Sequence, residues 1–294
     1  MTKSLLSLCF LPGLLIAQGQ STGYTYLRMP MTARSAALAE SDVANRTLPA
    51  SWTSNPALLT EIKYFSVSLS HLQWIQDVQT EHFAGVIPFS FASFGLSISS
   101  TVTRNIEVRD QPGPPLGTFN AHATSFCASA GIPFDNDLRL GFSFKYIFEK
   151  LYVDESAGFG IDLGVLALTP LEGLSAGMTL TDLGASGRMR KQSTDLPTTF
   201  RAGLAHSFAA DDVGVTSTAS FSHLLHGGSK HVHLGIEGRY DIVSLRAGYQ
   251  TGYDSRGWSV GFGAVQSMVV FDYAFLPFSL GLGSAHFATL IFQF

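Results

Sequence analysis

Four histidines, His223, His226, His231 and His233, surround one expected hairpin, and His231 and His233 share a side of an alternating segment. Neutral imidazoles at that spacing can hold zinc or copper. No cysteine or fixed carboxylate stands beside them, so polar loop and lumen histidines are the simpler reading and no metal is expected. Asp162 and Asp182, with Lys145 and Glu149 nearby, offer carboxylates for acid–base work, yet ion pairs that satisfy buried charge explain them more simply. No Gly-x-Ser-x-Gly nucleophile elbow is expected, and the chain has no glycine-rich phosphate loop and no His-Glu-x-x-His. No catalytic residue and no cofactor is assigned. The basic run Arg188, Arg190 and Lys191 suits lipopolysaccharide phosphates or a protein partner, with a solvated loop as the plain alternative.

The elements that would carry these groups are strands. Charged residues make up 14% of the 294, against about 25% in ordinary soluble domains. Gly reaches 29 residues, aromatics 12%, and the mean hydropathy is only +0.21. The net charge of −4 gives no reason to expect nucleic acid as a partner. Within Arg139 to Phe148, Arg139, Gly141, Ser143 and Lys145 share one face, and Leu140, Phe142, Phe144, Tyr146 and Phe148 the other. Segments 231–240, 243–250 and 258–264 repeat the pattern. A soluble sandwich would carry more Lys and Glu on its polar face. Gly, Ser and Thr with occasional charge suit the lumen of a membrane barrel.

Such segments number roughly fourteen, the even count of single-chain outer-membrane barrels. They run from 63–72 to 284–294, and short and long connections alternate between them. The even count puts both chain termini on the periplasmic side of a Gram-negative outer membrane, with outer-membrane lipids around the wall. The fold class is therefore all-β: a transmembrane antiparallel β-barrel with a short N-terminal helical plug. The expected divisions are a signal peptide over 1–17, a plug over 18–61 and the barrel over 62–294. Lys3, the apolar run Leu5 to Ile16 and Ala17 carry the signal-peptide reading. Cys127 is then the single thiol of the mature chain, which excludes an internal disulfide. No run reaches 18 uninterrupted apolar residues, so spanning helices are excluded. The last strand, with Leu290, Phe292 and Phe294, resembles the terminal strand that barrel-assembly machinery reads.

Residues 28–59 alone do not alternate. Ala and Leu predict a short helix starting near Thr32, and Asn55-Pro56 predicts a turn. Tyr26-Leu27-Arg28-Met29-Pro30, then Ala33-Arg34-Ser35-Ala36-Ala37-Leu38 and Asn55-Pro56-Ala57-Leu58, resemble the amino-terminal signature of the PorV/PorQ family. These are outer-membrane barrels similar to the FadL transporters of hydrocarbons and fatty acids. Val67 to Trp74, with Asp77, resembles the family's first strand and hairpin loop. The likeness covers roughly residues 24–99 by motif. Where the family usually has glycines after the Ala-Leu pair, this chain has Ala39-Glu40, and it lacks the acidic pair before the Asn-Pro-Ala turn.

The resemblance implies that Arg28 and Arg34 pair with inward carboxylates and hold the plug with Pro30, Asn55, Pro56 and Ala57. It implies a role in type IX secretion: binding exported proteins with carboxy-terminal sorting domains and passing them to other secretion components. Trp74, Asp77, Arg188, Arg190 and Lys191 are the expected loop contacts. The alternative is FadL-like transport of hydrophobic small molecules. Against it, few inward apolar groups are expected on the wall, chiefly Phe91, Leu166 and Leu168.

Overall fold

The computed structural model describes residues 24–47, 51–189, 192–193 and 195–294. The signal-peptide segment lies outside them, as do residues 18–23 and 48–50 of the plug region, Arg190 and Lys191.

Alternation builds the wall. The chain forms β1 (Ser66–Gln73), β2 (Val78–Pro88), β3 (Ser93–Val108), β4 (Gly117–Pro133), β5 (Leu138–Leu151) and β6 (Asp154–Leu168). It continues through β7 (Leu174–Ser186) to two-residue pieces β8 (Arg188–Met189) and β9 (Gln192–Ser193), which pair only with each other. Then come β10 (Thr199–Ala210), β11 (Val213–Leu224), β12 (Lys230–Tyr240), β13 (Val243–Gln250), β14 (Trp258–Gln266), β15 (Val269–Pro277) and β16 (Ser284–Gln293). Fourteen of these strands pair antiparallel in a closed ring, with β7 beside β10 and β16 beside β1. Closure leaves no strand edge within the ring, as a hydrocarbon surround requires. No described helix is long and apolar enough to cross a membrane.

The two wall faces differ as the alternation predicts. Leu96, Phe126, Phe142, Phe144, Phe159 and Phe262 point outward and are exposed, while Ser99, Ser125, Ser129, Ser143, Thr179 and Ser259 point inward and are buried. An apolar exterior on a closed barrel is the surface of a membrane-spanning protein. Aromatic rings gather at the end with short turns: Phe65 lies 5.7 Å from Phe294, and Phe89, Phe91 and Phe94 form a group. Phe91 is therefore not an inward group. It sits in the connection 89–92, because β3 begins only at Ser93.

Strand ends moved in one informative place. The connection 103–118, expected as a long loop, is half strand, since Ile106 pairs with Phe119 and Val108 with Gly117 beyond a bulge at Thr103/Ile106. β2 stops following β3 at Thr103, and β5 stops following β4 at His122. The tip of the β3–β4 hairpin thus projects past its neighbours.

Residues 24–47 and 51–62 lie inside the ring. Helix α1 (Ala33–Ala37) is capped by Thr32, whose hydroxyl accepts from the Ser35 amide at 3.3 Å. A 3-10 segment, Pro56–Glu61, is capped by Asn55. Helix α1 packs on β13 to β16, and the 3-10 segment on β2 to β6.

Candidate functional site: the stoppered lumen

The plug is seated where the wall has no side chain. A Cβ at Gly141 would overlap the backbone of Ala57, and one at Gly164 would overlap Asn55 and Pro56. Across the lumen, Gly177 faces Val43, Gly248 faces Leu38–Ala39 and Gly261 faces Ala37. Close backbone approach is what an inward glycine permits. Asn55 is fully buried; its Oδ1 accepts from the Ala57 amide at 3.0 Å, and its Nδ2 donates to the carbonyls of Val43 (2.8 Å) and Val165 (3.1 Å). Trp52, Leu58 and Leu59 pack with Ala84, Val86 and Leu166. Leu166 and Leu168, expected inward, are found against this cluster.

No Gly-x-Ser-x-Gly nucleophile elbow is expected from the sequence, although two runs of that pattern stand at 173–177 and 257–261. Ser175 and Ser259 lie on β7 and β14, with no strand-to-helix elbow. Their hydroxyls donate to plug carbonyls, Ser175 to Ala44 at 2.8 Å and Ser259 to Ala37 at 2.9 Å. They serve as seats.

Charge holds the α1 half. Arg34 forks onto Glu237, with Nε 2.8 Å from Oε2 and Nη2 2.9 Å from Oε1. Glu237 also accepts from Arg246, which reaches Asp272 at 2.6 Å. All four are buried. Planar forks are the geometry by which arginine recognises carboxylates. Lys145 bridges Asp162 (2.9 Å) and Asp182 (2.7 Å) between neighbouring strands. This is the carboxylate set that the sequence offers for acid–base chemistry, and here it is closed on itself as an ion-pair cluster.

A third cluster escaped the sequence. Glu40 is buried and placed between Arg201 of β10 and Arg256 of the loop 251–257, each 3.1 Å away. Burial alone would raise its carboxyl pKa; Arg256 and then Arg201 hold it at about 2. Arg256 also lies over the rings of Tyr253 (4.1 Å) and Trp74 (5.7 Å). Tyr253 stacks on His231 at 3.7 Å. The only sequence signal for Glu40 is a charge in a run of small residues where the resembling family carries glycine.

The other expected residues fall variously. Pro30 is buried with the plug, while Arg28 is half-buried and makes no ion pair among the described residues, unlike Arg34. Trp74 is not a free anchor: it packs edge-on against Phe278 (5.3 Å) and Phe287 (5.8 Å), because the apolar β15–β16 loop folds beside it. Asp77 is exposed. Arg188 lies in β8, with its side chain outside the described residues. Leu290 points outward, and Phe294 is exposed at the end of the last strand. The His233 Nδ1 donates to the carbonyl of Ala39 at 2.7 Å, while His231 contacts that of Thr251 at 3.1 Å. His223 contacts the Ser229 carbonyl at 3.3 Å. Among the described residues no group of three or more His, Cys, Asp or Glu could hold a metal.

Between plug and wall lies a cavity of about 90 Å³. Leu27, Met29, Met31 and Trp52 of the plug, together with its Glu40, line one side, and Ser99, Ser125, Lys145, Asp162, Asp182 and Arg201 of the wall the other. His82 also lines it, with Nδ1 3.2 Å from the Ser99 hydroxyl and Nε2 without a hydrogen-bond partner among the described residues.

Solved structures share the fold of this ring. It shares its fold with TodX. A TodX monoaromatic hydrocarbon channel variant (deltaS2S3) superposes with a TM-score of 0.61 at 12% identity, over 90% of this chain and 99% of that one. The P. putida toluene transporter TodX gives 0.55 at 12% identity, over 82% and 93%. No protein-family model matches the sequence, and no curated protein matches it.

Proposed function

We propose that this protein is an outer-membrane barrel whose lumen is a stoppered passage for small hydrophobic or amphipathic molecules. The observation that supports this most is the lining of the cavity behind the plug. Its apolar half comes from Leu27, Met29, Met31 and Trp52. Counting inward wall residues favours protein handling, because the wall is Ser, Thr, Gly and charge; the plug supplies the apolar surface that the wall lacks. Structures sharing the fold bear the names of a hydrocarbon channel and a toluene transporter, which is the FadL-like alternative named above. A cavity of about 90 Å³ is smaller than the roughly 150 Å³ that holds benzene, so the plug must shift before a ring passes. In this reading the short-turn end faces the periplasm, the longer loops face outside, and the protein is not an enzyme.

A second reading is the PorV/PorQ role in type IX secretion. Two observations favour it: the resemblance over residues 24–99, and the projecting β3–β4 hairpin as a surface for a protein partner. One experiment separates the two. On deletion of the gene, the transport reading expects growth on long-chain or aromatic substrates to fail while proteins with the carboxy-terminal sorting signal still reach the surface. Normal growth with lost surface delivery would overturn it and favour the second.

A further inference from the structure

The turn after α1 is strained. Ala39 (φ 51°) and Glu40 (φ 61°) stand consecutively in the left-handed region, which residues with a Cβ enter at a cost and glycine enters freely. Strain of this kind persists where surrounding contacts over-determine it. Here those contacts are specific. The Ala39 carbonyl accepts from His233, the Glu40 amide donates to the Ser35 carbonyl at 2.8 Å, and the two Glu40 carboxylate oxygens are divided between two arginines. Arg201 belongs to the wall. Arg256 belongs to the loop 251–257 and carries Tyr253 and Trp74 against its guanidinium. At 3.1 Å each, both contacts are longer than the charge-assisted bonds of Arg34 to Glu237 and of Lys145 to Asp182.

We infer that Glu40 is a latch coupling the loop 251–257 to the plug. Drawing Arg256 away removes one of the two charges that hold a buried carboxylate, and the left-handed turn at 39–40 relaxes. The α1 half of the plug then loosens, while Asn55 and Ala57 stay seated on Gly164 and Gly141. An event on the loop face is thereby transmitted into the lumen through one side chain. The coupling belongs to the plug and holds whichever of the two roles the barrel serves.

The test needs no substrate. The full chain and its variants Glu40→Gln, Arg256→Gln and Arg109→Gln are reconstituted in planar lipid bilayers, and opening events are counted. Arg109 is the control: it is exposed and pairs with Glu107, outside the plug. The latch requires Glu40→Gln and Arg256→Gln to open at least tenfold more often than the parent, with Arg109→Gln unchanged. Opening of Arg256→Gln at the parent rate overturns the inference, as does an equal rise in Arg109→Gln. Should Glu40→Gln fail to give the heat-modifiable band of an assembled barrel, Arg256→Gln, altered only in a loop, decides the matter.

Discussion

The two halves of the plug are held to one wall by different physics. On the β12–β16 side, α1 is fixed by a buried chain of charge from Arg34 through Glu237 and Arg246 to Asp272. Both halves lay backbone against glycine, but on the β3–β6 side the segment after Asn55 adds bonds from Asn55 to main-chain carbonyls in place of a buried chain of charge. A charged contact fails abruptly when one partner leaves, because the remaining charge is stranded in a buried site. A packed contact yields by degrees. The lesson is a division of labour: the packed half anchors the plug, and the charged half can release it.

The sharpest way to break that contrast is Glu237→Ala, which strands the buried Arg34 guanidinium, leaves Arg246 with Asp272 alone and should cost about 3–5 kcal/mol. Limited proteolysis from the short-turn side should then cut residues 30–47 much faster than in the parent, with residues 55–62 still protected. Uniform cutting across both stretches would deny the division. On the packed half, Gly141→Val presses a branched side chain into the Ala57 backbone and should cost about 1–3 kcal/mol. The protease pattern should reverse, with cleavage near 55–62. Smallest is Asn55→Ala, about 1–2 kcal/mol for a lost cap and two lost bonds to carbonyls. It should loosen the turn while leaving the barrel heat-modifiable on a gel, and equal protection in variant and parent would mean that this turn does not hold the plug.

The wall was legible in the sequence and its seating was not. Period-two alternation in segments such as 139–148 marks both faces because every second side chain meets either lipid or lumen. It cannot say which inward glycine meets which plug residue, since Gly141 and Ala57 are 84 positions apart and nothing local ties them. Ser175 and Ser259 illustrate the same limit: their motif suggests a nucleophile, and only the three-dimensional register shows a carbonyl of the plug in front of each hydroxyl. Arg34 could be read as a lumen charge, but its equal weighting with Arg28 could not be corrected from sequence. Glu40 was visible only as a departure from a glycine-bearing pattern. Its backbone angle explains why glycine suits that position, and its two arginines explain what a carboxylate adds there.

The central claim is that residues 24–47 and 51–62 form a stopper inside a closed membrane barrel. Planar-bilayer conductance of the full chain, compared with a variant lacking residues 24–62, tests it most directly. The account requires the full chain to stay closed nearly all the time and the truncated barrel, once shown to be assembled by its heat-modifiable band, to conduct steadily. An assembled truncated barrel as closed as the full chain, or a full chain that already conducts steadily, would contradict it.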